Sequence, residues 1–551
     1  MSPKAPETLA VPATRRGEAG VAPEAQLPGN RWAPGLLAAA LAVGGFLLLA
    51  VFGEGQWFSR DDWQLIGYYE VLQDHNQHWS TVTIVAYRAL YLVFGLNSYV
   101  PYQIVGVLVH LLVVCLLFLI MRRARVQPWV AAIAAGSFIL YAPGAPLLLS
   151  QFQMTLGLSL GLIQLLLADH DGANRTRDAL ALGAGLLAIM TSGVGVAVVA
   201  GVGVAVLLKR GWLAATIQTL PLAVIYLLWW TQAAPGGRTA RFDLAAIVEW
   251  CLASLEGVAL GLGGSYLLIG GLLALFTVVG ALLTLRRYSL ATLRVRCNAV
   301  AGLSITGLLL VATTYFGRGF FGSTEASSGR FSYLLVACFL PLIAVSFNEL
   351  IGRWVWTAVP TLGLLLLVVP IHFAALVDGT PGRQANSATL RQQLAAIHPF
   401  LADSQVPDEV RPWIGRRGTG MGELEMGFLR SASRTDRLEA PTNPAGEQTR
   451  EQATTRIGLA QQRAIFGVDP ADCQEITTPE IRKTNVGDIF RFSTNPYLRL
   501  APMDLRIETA DTGITVRSEL GEYLEVVLPL GRVEFSSATP GRSTYLCRTS
   551  D

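Results

Sequence analysis

Runs of apolar residues long enough, or nearly so, to cross a bilayer occupy 34–53, 100–121, 128–143, 146–168, 179–192, 193–208, 213–232, 266–285, 297–316, 331–350 and 355–376. A hydrocarbon core of about 30 Å takes about 20 helical residues, and a helix satisfies its own backbone hydrogen bonds there. About eleven crossings follow, an odd number that places the two termini on opposite sides. Short loops rich in Arg and Lys stay cytoplasmic. Arg122/Arg123/Arg125, Arg175/Arg177, Lys209/Arg210, Arg286/Arg287/Arg294/Arg296 and Arg353 fall after every second run. The alternation predicts a cytoplasmic amino terminus in a multi-pass plasma-membrane protein. It places 54–99, 233–265, 317–330 and 377–551 outside.

With 52% hydrophobic and 15% charged residues, the chain departs from the composition of soluble globular proteins. A net charge of +3, spread over many short loops, gives no footprint for nucleic acid. The first thirty-one residues, rich in Pro, Ala and Glu, have too few large apolar groups to offset their ordering entropy and are expected to be a disordered cytoplasmic tail. A cleaved signal peptide fits less well, because the first apolar run starts late and lacks a small-residue cleavage site after it.

Two stretches need care. The run 244–262 is apolar enough for a crossing, yet the basic loops on either side demand an even number of crossings between them. It is expected to be re-entrant or interfacial, and Glu249 and Glu256 suit a wet interface better than lipid. Residues 179–208 form two short helices only if Thr191-Ser192-Gly193 makes the turn. Gly193, Gly195, Gly201 and Gly203 superficially resemble a nucleotide-binding pattern, but no strand precedes them and no acidic residue follows at the right distance. They are expected to let helices pack closely.

After Ala374 the composition turns polar. Helical periodicity at 385–402 and 448–465 is followed by alternating runs such as Leu505/Ile507, Ile514/Val516 and Leu524/Val526/Leu528. The expected organisation is a transmembrane domain over 32–376 and an extracytoplasmic domain over 377–551, a helical collar followed by a small β-sandwich. Cys473 and Cys547, the two cysteines of this outer region, are expected to form a disulfide, whereas Cys115, Cys251, Cys297 and Cys338 belong to the apolar helices.

The residues that could carry chemistry start directly after the first run, with Trp57-Phe58-Ser59-Arg60-Asp61-Asp62-Trp63. Two adjacent carboxylates repel, so one keeps its proton more readily than the other, which suits a general base or a cation ligand. A structural reading stands beside this: Ser59 and Asp62 form a capping box, and Asp61 complements the helix dipole. The two are compatible. Further on, Asp74-His75-Asn76-Gln77-His78-Trp79 crowds hydrogen-bonding groups together, but His75 and His78 lack the further ligands at recognisable spacing that a zinc site needs.

The acidic pair, the His/Trp segment, an interfacial helix over 82–94 ending in Phe94-Gly95-Leu96-Asn97, and Tyr102 with His110-Leu111-Leu112 resemble the GT-C glycosyltransferases. The resemblance continues in Phe152-Gln153, Ser192-Gly193 and Gly329-Arg330-Phe331-Ser332-Tyr333, covering most of 34–376. It implies a bacterial-envelope type of enzyme that transfers a sugar from a polyprenyl-phosphate donor to a glycan, lipid or protein acceptor at the outer face of the membrane. It further implies that Asp61 is the base with Asp62 its partner, that Arg330 and Arg318 hold the leaving phosphate, and that His75, His78, Trp79, Arg88, His110, Gln153 and Tyr333 line the substrate cleft. Tyr87 is a further cleft candidate beside Arg88. The chain has no second compact acidic motif in a later outer loop, so no cofactor is expected, with a divalent cation left open. The alternatives are a transporter or flippase of lipid-linked sugars, which inverted repeats would favour, and a non-catalytic envelope scaffold.

Overall fold

The computed structural model describes residues 31–446 except 60, 68–69, 76–77, 146–151, 234–239, 241, 403–407, 409–424 and 441–444; beyond 446 it describes only the backbone of β-strands. The expected amino-terminal tail up to residue 30 and the segment 448–461 lie outside the described residues. Helix α1 (Ala33–Phe46) continues as a π-helical turn through Phe52. Then come α2 (Asp61–Gly67), a two-strand hairpin (Asp74–His75 and His78–Trp79), α3 (Thr81–Phe94), α4 (Val100–Arg123), α5 (Pro128–Ser137), α6 (Gln153–Ala168) and α7 (Arg175–Ile189). The chain continues with α8 (Gly193–Arg210), α9 (Trp212–Ala233), α10 (Leu244–Leu262), α11 (Leu267–Arg287), α12 (Leu290–Arg296), α13 (Asn298–Arg318), α14 (Gly329–Arg353), α15 (Ala358–Ile397) and α16 (Met426–Arg434).

Among the described residues, 9 helices are long and apolar enough to cross a membrane, and the chain is a multi-pass membrane protein. Helices α3, α5 and α6 are apolar but shorter. The basic loops converge at one end of the bundle. Lys209 Nζ lies 2.7 Å from Asp169 Oδ1, Asn298 donates to the same oxygen at 3.1 Å, and Arg210 grips Asp178 with both terminal nitrogens at 2.6 and 2.9 Å. Arg296 Nε donates to the Ala124 carbonyl at 3.0 Å, and Arg287 pairs with Glu349 at 2.8 Å. These contacts tie together the ends of α4, α6, α7, α8, α11, α13 and α14, as the alternation of basic loops requires. They also satisfy helix-terminal carbonyls that have no intrahelical partner.

Helix α10 is among the helices long and apolar enough to cross a membrane. Asp243 caps it through the Ala245 N–H at 2.9 Å, Glu249 accepts from Ser323 at 2.5 Å, Gly257 packs on Ser327, and Gly261 packs on Tyr141 and Ser332. Its partners come from the 319–332 connection and the head of α14, from Tyr141 and Tyr315, and from α11, where a Cβ on Gly270 would meet the Ala259 carbonyl. The turn between α7 and α8 falls at 190–192. The glycines of α8 act in packing: a Cβ on Gly201 would meet the Gly302 carbonyl of α13 at 2.5 Å, and a Cβ on Gly302 would meet that of Gly201 at 2.5 Å.

The polar shift near 376 does not end an element, because α15 runs unbroken to Ile397. Its extension and α16 reach back over the segment after α1. Gln384 donates to the Glu54 carbonyl, Arg391 to that of Gln56, and Leu96 N–H to that of Arg437. Residues 462–465, expected to be helical, are instead a strand, since so short a stretch cannot establish its period against strand pairing. From there the strands form two antiparallel sheets. One has the order 480–484, 531–537, 503–509, 513–518; the other has 462–465, 523–527, 489–493, 544–547, 473–476.

Candidate active site

At the end of the bundle opposite the basic loops, α2 opens on the acidic pair, and the structure separates its two members. Asp62 is fully buried, whereas Asp61 is half-exposed. The Asp62 carboxylate accepts from the Ser59 N–H at 2.9 Å, one half of the anticipated capping box. It also accepts from Tyr87 of α3 at 2.8 Å and from Tyr99 at 3.3 Å. Burial pushes its pKa up to about 7. The Ser59, Tyr87 and Tyr99 donors pull against that rise, and the neighbouring Asp61 charge adds to it. Burial also lifts both phenols well above their ordinary range, so they remain donors.

An aromatic wall holds this carboxylate in place. Tyr87 stacks on Phe152 at 4.8 Å with rings 3° apart, and Phe58 meets Tyr99 and Tyr102 edge-on at 4.8 Å each. Leu390, Leu394 and Ile397 of α15 and Leu429 of α16 belong to the same buried cluster. The long final helix therefore braces the loop that carries the acidic pair.

Asp61 has no hydrogen bond or ion pair among the described residues. Across from it, the 318–330 connection carries two arginines. Arg330 pairs with Glu325 and lies 5.0 Å from the Phe331 ring. Arg318 has no carboxylate partner among the described residues; its guanidinium sits 5.9 Å from the Phe321 ring and feels the charges of Arg330, Glu325 and Asp61. Asp61 and Arg318 are thus one accessible anion and one uncommitted cation within electrostatic reach of each other. Of the two arginines, Arg318 is the freer guanidinium.

The other expected cleft residues divide. His75 is buried and bonds Gln64 Oε1 at 2.9 Å, while His78 is half-buried against Gly193, where a Cβ would strike the imidazole. Trp79 differs from expectation. It is buried, stacks on Trp229 of α9 at 5.2 Å and 4°, and donates to Thr81 at 2.7 Å, so it anchors the hairpin. His110 and Tyr333 differ in the same way. Both are fully buried, their side chains bond each other at 2.8 Å, and His110 Nε2 lies 3.0 Å from the Ile139 carbonyl, which ties α4 and α14 to the end of α5. Arg88 is half-buried on α3 beside Tyr87, and Gln153 opens α6 with its Oε1 buried and unpartnered among the described residues. No group of three His, Cys, Asp or Glu among the described residues is placed to hold a metal ion.

Sequence reasoning missed Tyr99 and His372. His372 lies inside the last apolar run, buried, with both ring nitrogens unpartnered among the described residues. It lines a cavity of about 410 Å³ walled by Gly257, Gly261 and Gly264 near α10, and by Ser327, Gly329 and Ser332 next to Arg330. A lone polar residue in an apolar run is the signal that would have found it.

No protein-family profile and no curated relative matches the sequence. Two solved structures share part of its helical course. One is the crystal structure of ArnT from Cupriavidus metallidurans bound to undecaprenyl phosphate, with 15% identity, a TM-score of 0.44, and coverage of 79% of this chain and 93% of that one. The other is the same protein in the apo state, with 14% identity, a TM-score of 0.42, and coverage of 78% and 92%.

Proposed function

We propose that the protein is a membrane glycosyltransferase that moves a sugar from a polyprenyl-phosphate donor to an acceptor hydroxyl of the cell envelope at the outer face. The observation that carries this reading is that half-exposed Asp61, free of any ion pair among the described residues, and Arg318, which has no carboxylate partner among them, share the bundle end opposite the basic loops. In the proposed step the acceptor oxygen bonds to the anomeric carbon, its proton passes to the Asp61 carboxylate, and the bond from that carbon to the phosphate oxygen breaks. Arg318 and Arg330 offset the charge that grows on the departing polyprenyl phosphate, where forked guanidinium donors match phosphate oxygens.

Asp62 serves as a positioning residue, because its oxygens are engaged by Ser59, Tyr87 and Tyr99. The cavity beside Arg330, rich in glycine and with Ala142, Pro143, Leu260 and Ala375 in its wall, suits the first apolar units of the donor lipid. The Cys473–Cys547 disulfide, metal independence and an acceptor-guiding role for the carboxy-terminal sheets belong to the same proposal.

Cells producing the wild-type protein, the Asp61→Asn variant or neither are compared for envelope glycans, with the membrane level of each protein measured alongside. The reading expects the same missing glycan in the last two. A normal glycan with Asp61→Asn overturns it.

A further inference from the structure

We propose that the polar cavity at the basic end of the bundle, remote from Asp61, binds a phosphate-bearing anion. The cavity measures about 540 Å³ and is lined by Arg123, Arg177, Lys209 and Arg296 against Asp169 and Asp171. Asp169 is already shared by Lys209 at 2.7 Å, Asn298 at 3.1 Å and Arg123 at 3.5 Å. Asp171, almost fully exposed, stands 3.5 Å from the same lysine. Positive charge is left over on Arg177 and Arg296, neither of which has a carboxylate partner among the described residues.

Capping explains only part of what these two arginines offer. Arg177 donates one terminal nitrogen to the Leu166 carbonyl at 2.9 Å, and Arg296 donates Nε to that of Ala124 at 3.0 Å. A guanidinium carries five N–H donors, and its planar fork fits two phosphate oxygens at once. Two helix starts add to the site. Asn174 caps α7, Asn298 begins α13, and both line the cavity, so the positive ends of two helix dipoles lie beside the guanidinium groups. The volume leaves room for a phosphoester as well as a bare anion. Lying where membrane-crossing helices end, the cavity is open to both a lipid headgroup and a soluble phosphate compound.

The test uses full-length protein in nanodiscs of phosphatidylcholine. One arm adds inorganic phosphate at constant ionic strength and the other replaces part of the lipid with phosphatidylglycerol; the thermal midpoint is read in both. Asn174→Asp keeps the oxygen that caps the Arg177 N–H at 3.0 Å while placing a negative charge at the cavity. Arg177→Gln/Arg296→Gln removes the unmatched cations. Wild type is expected to be stabilised in at least one arm, and the arm that responds identifies the source of the phosphate. Asn174→Asp is expected to keep its midpoint without anion and to need about tenfold more for the same rise, as a nearby unit charge dictates. No response of wild type in either arm, or equal responses of wild type and both variants, overturns the proposal.

Discussion

Tyr87 Oη donates a 2.8 Å hydrogen bond to Asp62 Oδ1 across 25 residues of sequence, so a helix along the bundle end holds a buried carboxyl in one orientation. The adjacent carboxyl of Asp61 is left to solvent. One acidic pair is thereby divided into a positioning group and an accessible one.

The first expectation concerns pH. Burial raises the Asp62 carboxyl from 3.8 to about 7, so between those values the folded protein holds a proton that the unfolded chain has released. Its contribution to stability is complete below the lower value and is lost as pH rises through the upper one, about 4 kcal/mol in all. The thermal midpoint of wild type should fall between about pH 4 and about pH 7, and Asp62→Asn should flatten that slope. An equal slope in both removes the assignment.

Trp79 anchors the hairpin through its stack on Trp229 and its bond to Thr81. Trp79→Ala should cost about 3–5 kcal/mol, as large-to-small changes in a core do, and lower the thermal midpoint well below that of Trp79→Phe. Equal midpoints would place the ring outside the packed interior.

Gly201 and Gly302 let α8 and α13 touch backbone to backbone. Gly201→Val forces the helices apart and should cost about 1–3 kcal/mol, read as a lower midpoint and greater protease sensitivity. A Cβ added at Gly183 would meet nothing within 4 Å, so Gly183→Ala should leave both unchanged.

The backbone register sets Cys547 directly opposite Cys473 on neighbouring antiparallel strands. A disulfide there should stabilise the carboxy-terminal region by about 4 kcal/mol in the chain-entropy model. Thiol labelling of unreduced protein should spare both residues and modify both after reduction. Labelling without reductant shows free thiols.

The helical course was legible because apolar length and basic loops are signals written along one dimension. The division of labour between Asp61 and Asp62 was not legible, since it depends on Tyr87 and on Tyr99, the latter 37 residues away. His110 and Tyr333 looked like cleft residues for the same reason: their bond joins positions 223 apart, and nothing local announces it. That α15 continues past 376 was not legible, because composition reports the surroundings of a helix rather than its length, and α15 passes into a polar setting without a break.

The account rests on Asp61 as the group that accepts the proton. Purified protein is offered a panel of polyprenyl-phosphate hexoses and pentoses with envelope acceptors, and release of polyprenyl phosphate is followed for wild type and Asp61→Asn. The account expects turnover by wild type and a loss of about 10²–10⁴-fold in the variant, the range that a general base contributes, with donor binding retained. Equal turnover by the two proteins would contradict it.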